Sequence, residues 1–260
     1  MGGRVHAEID GHLGWIVFDH PERRNAISVE MWRDIPEVVR QLEADPAVRV
    51  LVMRGAGQEA FVSGADISEF GTHRTGDAVS QYDADSGRAF GALTHATKPL
   101  IAMIHGFCVG GGVAIALGAD LRFAARNAVF AIPAARLGLG YHAPGIQALA
   151  DLVGWSSAKD IFFTARRIVA DEAYAMGLVN RVLSRSALEE HVREVASRIA
   201  ENAPLTVRSV KLIARELSKP SGQRDDAAIA DSIRACFESE DYREGMKAFL
   251  EKRRPDFKGR

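Results

Sequence analysis

Three consecutive glycines, Gly110, Gly111 and Gly112, stand between two apolar runs, Pro99 to His105 and Val113 to Leu117. The first run reads as a buried strand and the second as the opening turns of a buried helix. The glycines therefore occupy a strand-to-helix turn, where backbone N–H groups have no partner inside the helix and nothing keeps a ligand away from the main chain. One chemistry for such a turn is a phosphate cradle, although neither of the usual glycine-rich phosphate patterns is present. Another is an oxyanion hole, in which an N–H holds the charge that develops on a carbonyl oxygen. The third reading is close packing of a helix on a strand. A second turn of small residues, Phe61 to Ile67, is another candidate for exposed N–H groups.

Other reactive side chains are sparse. Tyr141 and His142 sit in the middle of Pro133 to Gly145, a glycine- and proline-rich loop expected to face something. Cys108 adjoins the glycine turn, but no histidine stands at a spacing that would activate it, so it reads as a buried small residue. His105 and His73 read as packing or solvent-facing residues.

The elements that position these turns can be drawn from periodicity. Arg4 to Asp10 and Leu13 to Asp19 form a hairpin about the Asp10-Gly11 pair. Ser28 caps a helix with Met31, Trp32, Ile35, Val38, Val39 and Leu42 on one face, and Pro36 should kink it or mark its first turn. Val48 to Arg54 is a strand. Gly71 to Ala96 is the least patterned stretch and reads as a mobile loop running into a helix, with Val79, Tyr82, Phe90 and Leu93 as its only face. Short strands follow at Leu121 to Ala125 and Val129 to Ile132, helices at Ile146 to Val153 and Ser156 to Thr164, and a last strand at Leu178 to Leu183. Ser186 with Glu189 reads as a capping box, and the chain is nearly all helix from there to about Phe249.

The chain has 260 residues, of which 47% are hydrophobic, enough for one large core. A net charge of -1 offers no field for nucleic acid or an anionic membrane. The first helix carries Arg33 and Arg40 against Glu30, Asp34, Glu37 and Glu43. Two cysteines in no metal-binding pattern suit a reduced compartment and predict no metal site. No apolar run approaches the length of a membrane span, and residues 1–11 lack the apolar core of a signal peptide, so a cytoplasmic location is expected.

His20 to Ala26, Phe61 to Ile67, Gly106 to Asp120, Phe130 to Pro133, Glu172 to Asn180 and Ala248 to Lys258 together resemble, in order and spacing, the crotonase superfamily of enoyl-CoA hydratases and isomerases. The resemblance implies an α/β fold, the crotonase (ClpP-like) spiral of ββα units with two roughly perpendicular sheets and a C-terminal helical region. Residues 1–195 would form the spiral core with the acyl-CoA site, and residues 196–260 a helical trimerisation region in a homotrimer or dimer of trimers. It also implies an acyl-CoA thioester substrate, with coenzyme A entering as part of that substrate and no covalently bound cofactor. The thioester oxygen would accept from the backbone N–H groups of Ala65 and Gly111. Coenzyme A would be held by Arg23, Arg24, Ser63, Asp66 and Ile67, with Phe249 and Lys252 supplied by a neighbouring subunit. A lysine common in the family two residues after the aspartate is Ser68 here.

The chain departs from the pattern where protons move. The two glutamates that hydratases use correspond to Ala114 and Ala134, and alanine transfers no proton. General acid–base help is typically worth about a hundredfold to ten-thousandfold, so two-glutamate hydration is expected to be severely weakened. Tyr141 and His142 replace a proline-glycine pair and are the candidate catalytic side chains, though such a pair also suits a pocket wall or subunit contact. The Leu137 to Ile146 loop is similar to that of methylmalonyl-CoA decarboxylases, which carry a functional tyrosine at the Tyr141 position but a histidine at the Ala65 position. Asp66 should organise its own loop, and Glu69 is a further candidate base. A catalytically silent CoA-binding protein is the remaining alternative.

Overall fold

The structure is a computed structural model that describes residues 2–69, 71, 76 and 78–260. The chain opens with a hairpin, β1 (Arg4–Asp10) and β2 (Leu13–Asp19), in the register the Asp10-Gly11 turn predicts. Helix α1 (Val29–Ala44) follows, and the Ser28 hydroxyl accepts from Met31 N at 3.2 Å as an N-cap. Pro36 lies inside α1 and does not mark its start.

The chain then alternates between two sheets. β3 (Val50–Gly55), β5 (Leu100–Ile104) and β7 (Leu121–Ala125) enter one sheet, and β4 (Ala60–Val62), β6 (Phe107–Val109) and β8 (Val129–Ala131) enter the other. Each pair is followed by helix: α2 (Ala78–His95) after the first, with a single 3-10 turn at Ile67–Glu69 among the described residues before it, α3 (Gly111–Leu117) after the second, and α4 (Ala143–Thr164) after the third. Repeating this ββα turn generates the spiral. The larger sheet has the order β1-β2-β3-β5-β7-β10, closed by β10 (Arg181–Leu183). The smaller has the order β4-β6-β8-β9, closed by the antiparallel β9 (Ile168–Val169).

Strand periodicity explains the continuous apolar runs. In β3, Leu51 and Met53 face the main core while Val50 and Val52 face a second cluster. In β5, Leu100, Ala102 and Ile104 divide from Ile101 and Met103 in the same way. The second face is covered by α6 (Arg185–Ala200), which follows the short α5 (Ala170–Ala175) and buries Leu188, Val192, Ala196 and Ala200. The boundary expected at 195/196 therefore falls inside a helix whose buried residues on both sides share one cluster. The capping box expected at Ser186 is not formed: α6 starts at Arg185, with Ser184 at the cap position. Helices α7 (Pro204–Leu217), α8 (Asp226–Glu238) and α9 (Glu240–Leu250) complete the C-terminal helical region.

One further expectation is adjusted and one holds. The two helical runs expected on either side of Gly154 are present as two segments of α4, separated by a kink where Gly154 adopts the non-helical φ 76°. The poorly patterned Gly71 to Ala96 stretch contains α2, whose buried stripe is Tyr82, Asp85, Ala89 and Leu93. Asp85 hid that stripe from a hydrophobicity pattern: it is buried as an ion-pair acceptor for Arg33 of α1 at 2.9 Å and for Arg88. His73 lies outside the described residues. Among the described residues no helix is long and apolar enough to cross a membrane.

Candidate functional site

The ends of β4 and β6 bring the two small-residue turns together. After β4, the Gly64 carbonyl accepts from Ile27 N at 2.8 Å, and Asp66 N donates to the Ile27 carbonyl at 2.9 Å. Successive peptide groups along an extended chain point in opposite directions. The N–H of the residue between them, Ala65, is consequently turned away from Ile27, and among the described residues it meets no acceptor.

The three glycines after β6 do three different jobs. Gly110 takes φ 53°, a positive value that favours glycine, and its N–H is bonded to the Ala131 carbonyl at 2.8 Å. Gly112 packs against β4 so closely that a Cβ there would lie 2.1 Å from the Val62 carbonyl oxygen. Gly111 is the open one. Its N–H is the first of α3 and has no acceptor among the described residues. The atoms nearest to a Cβ on Gly111 would be those of Trp32, at 3.5 Å, and Ala65 N, at 3.7 Å, both at ordinary contact distance. Two N–H groups from separate turns, neither with an acceptor among the described residues, thus border one gap.

Beside this gap the Ala65–Glu69 segment is organised by Asp66. Its buried carboxylate accepts from Ser68 N at 3.0 Å, Ser68 Oγ at 2.7 Å and Arg23 Nη1 at 2.9 Å. Burial by itself would raise the Asp66 carboxyl, but the Ser68 hydrogen bonds and the Arg23 charge outweigh it and hold it below the usual range. Ser63 ties the segment to the preceding loop through Ser63 N to the Arg24 carbonyl at 3.1 Å and Ser63 Oγ to the Arg23 carbonyl at 3.2 Å. Ile67 is exposed. The two arginines part company: Arg24 turns to the opposite end of the small sheet, pairing with Glu59 at 3.2 Å and stacking 5.1 Å from the Phe107 ring centroid. There it lines a separate cavity of about 330 Å³ with Arg185, Gln58 and Asn127.

The Tyr141 and His142 side chains also diverge. Tyr141 is half-buried, its ring edge-on to Phe162 at 4.8 Å between centroids. Gly145 leaves room for it, since a Cβ there would come within 2.7 Å of the ring. The His142 side chain is 78% exposed, with Nε2 3.5 Å from Asp83 of α2. Ala134 is buried and Ala114 half-buried, each at the first turn after its strand. Glu69 accepts from Val29 N at 2.9 Å and so anchors the start of α1. Cys108 is fully buried, which pushes its thiol up and leaves it unreactive. His105 is buried too. Desolvation, aided by the charges of Arg185 and Arg54, lowers it to about 4, so the imidazole is neutral at pH 7. Phe249 and Lys252 are exposed on and just beyond α9, and among the described residues no hydrogen bond or ion pair links them to the Arg23–Ile67 region.

Two residues beside the gap were not singled out as site residues by motif spacing. Trp32 sits in the apolar stripe of α1 and reads as ordinary core. Tyr82 lies in the weakly patterned α2. They meet through a hydrogen bond from Trp32 Nε1 to Tyr82 Oη at 2.9 Å.

Comparison with known proteins is consistent across nearly the whole chain. The enoyl-CoA hydratase/isomerase family profile matches residues 8–260. A short-chain-enoyl-CoA hydratase from Clostridium acetobutylicum is 35% identical, over 98% of this chain and 98% of its own. A crotonyl-CoA hydratase from Syntrophomonas wolfei is 36% identical, over 96% of each. The crystal structure of an enoyl-CoA hydratase/carnithine racemase from Magnetospirillum magneticum superimposes with a TM-score of 0.94 at 33% identity, covering 98% of this chain and 96% of that one. With fold, length and sequence profile in agreement, this chain belongs to the enoyl-CoA hydratase/isomerase family.

Proposed function

We propose that this protein is an enzyme that binds an acyl-CoA thioester with its carbonyl oxygen between the N–H groups of Ala65 and Gly111, and that it stabilises the enolate or tetrahedral oxyanion formed there. The observation that carries this reading is the pair of N–H groups, without acceptors among the described residues, that border one gap. Such donors act where charge develops, and one of them is typically worth about 2.7 to 4 kcal/mol. Arg23, Ser63, Asp66 and Ile67 form the coenzyme A side of the site. Arg24 would contribute only after leaving Glu59. Phe249 and Lys252, exposed in the single chain, would reach the site from a neighbouring subunit of a homotrimer or dimer of trimers.

The relatives are named as hydratases, but the proton chemistry of this chain differs from a two-glutamate mechanism, because Ala114 and Ala134 occupy the positions where the family places its glutamates. A second reading, decarboxylation of an acyl-CoA that carries an extra carboxylate, draws on the fixed, half-buried Tyr141. Loss of carbon dioxide generates the enolate directly and needs the two N–H groups but no carboxylate base. Incubation with crotonyl-CoA, a 3-enoyl-CoA and methylmalonyl-CoA, followed by mass spectrometry, separates hydration, isomerisation and decarboxylation. Turnover of at least one is expected. Acyl-CoA binding without turnover would leave the silent CoA-binding alternative, and failure to bind or convert any of them would contradict the proposal.

A further inference from the structure

Trp32 and the Ala65 amide nitrogen both lie within 4 Å of the position a Gly111 Cβ would take, so the indole borders the space beside the two N–H groups. Its six-membered ring presents Cζ2 3.5 Å and Cη2 3.7 Å from the position of a Gly111 Cβ. The indole is 2% exposed and is held from behind: Nε1 donates to Tyr82 Oη at 2.9 Å, and Phe90 meets it edge-on at 5.2 Å between centroids. Tyr82 is itself 4% exposed. The helix that carries it is fastened to α1 a second time by Asp85 and Arg33. A thioester oxygen within about 3 Å of both donors would set the first acyl carbons within a bond or two of this ring edge. The hydrogen bond fixes the indole plane, so the ring cannot swing aside without leaving a buried N–H unsatisfied.

We propose that Trp32, held in place by Tyr82, is the end wall of the acyl pocket and confines this protein to short acyl chains. This rests on the acyl-CoA reading above. Trp32 is the specificity-determining contact, and Tyr82 is a positioning residue that acts through it. An open apolar pocket would behave otherwise: each additional buried methylene raises affinity by about fourfold.

The test is calorimetric titration of the full chain with coenzyme A and with butyryl-, hexanoyl-, octanoyl- and decanoyl-CoA, saturated thioesters that no hydratase or isomerase consumes. The wild type is expected to bind butyryl-CoA at least about tenfold more tightly than decanoyl-CoA. Trp32→Phe and Trp32→Ala shorten the wall. They are expected to improve decanoyl-CoA binding by about tenfold while butyryl-CoA stays within about threefold. Tyr82→Phe, which frees the indole without removing it, should move the profile part of the way. Trp32→Phe keeps an apolar ring in the core if Trp32→Ala does not fold, and the wild-type profile is decisive without either. A purely structural role would weaken all chain lengths together. Wild-type affinity that climbs through decanoyl-CoA, or a length profile unchanged in folded Trp32→Phe, would overturn the wall. Failure of every acyl-CoA to bind the wild type would overturn the acyl-CoA reading itself.

Discussion

A Cβ on Gly111 would lie 3.7 Å from the amide nitrogen of Ala65, although 46 residues separate the two in the chain. The spiral creates this neighbourhood, because β4 and β6 are adjacent parallel strands and both turns leave the same end of the small sheet. Gly111→Ala should therefore be tolerated by the fold, having only ordinary contacts to make, yet it places a methyl group in the gap between the donors. We expect acyl-CoA turnover to fall about a hundredfold to a thousandfold with little change in melting temperature, as measured by steady-state kinetics beside a thermal melt.

Gly112→Ala should do the reverse. Its Cβ would stand 2.1 Å from the Val62 carbonyl oxygen, which belongs to the backbone and cannot step aside cheaply. We expect destabilisation of more than about 3 kcal/mol, read by urea unfolding, or loss of folded protein. Neighbouring glycines would then separate catalysis from packing.

Asp66→Asn should loosen the Ala65–Glu69 segment by weakening its bonds to Arg23 and Ser68. Because Arg23 is half-exposed, solvent screening limits the expected loss to about 1 to 2 kcal/mol. The folded carboxyl lies below its ordinary value. Its contribution is thus present above the unfolded pKa and is lost as pH falls through the folded one. The gap in stability between wild type and Asp66→Asn should narrow as pH falls through and below the ordinary aspartate value of about 3.9, as followed by denaturant melts.

His105 acts in a higher pH window. Its folded pKa of about 4 against an ordinary 6.5 means that the unfolded chain takes up the proton first as pH falls. Stability should decline from about pH 6.5 downward, by about 2 kcal/mol at pH 5. His105→Asn, which carries no titrating group, should flatten that part of the profile in urea titrations at the two pH values.

Much of this fold was readable because local and tertiary signals agreed. The β1–β2 hairpin has both alternation and turn chemistry, and α1 has both its Ser28 cap and a continuous buried stripe. The glycine turn was legible as a strand-to-helix junction. Its partner turn, however, could be joined to it only by resemblance, since no periodicity reveals that β4 lies beside β6. Other features misled or stayed open for identifiable reasons. Ser186 and Glu189 have capping-box spacing, but the backbone becomes helical two residues too early to use them. For Tyr141 and His142 adjacency in sequence leaves the ring directions open, and one ring packs on Phe162 while the other meets Asp83 at the surface, which leaves their roles as candidates unchanged. Trp32 gave no sign of its position because core packing and a pocket wall produce the same helical stripe.

The most direct test of the account is the vibrational frequency of the thioester carbonyl in the complex. Crotonyl-CoA labelled with carbon-13 at the thioester carbonyl, bound to the wild type and to Gly111→Ala and recorded by isotope-edited infrared spectroscopy, reports the hydrogen bonds on that oxygen. Two donors should lower the carbonyl frequency in the wild-type complex relative to free crotonyl-CoA, and Gly111→Ala should return most of that shift. A bound thioester whose carbonyl absorbs at its solution frequency in the wild type would contradict the assignment of Ala65 and Gly111.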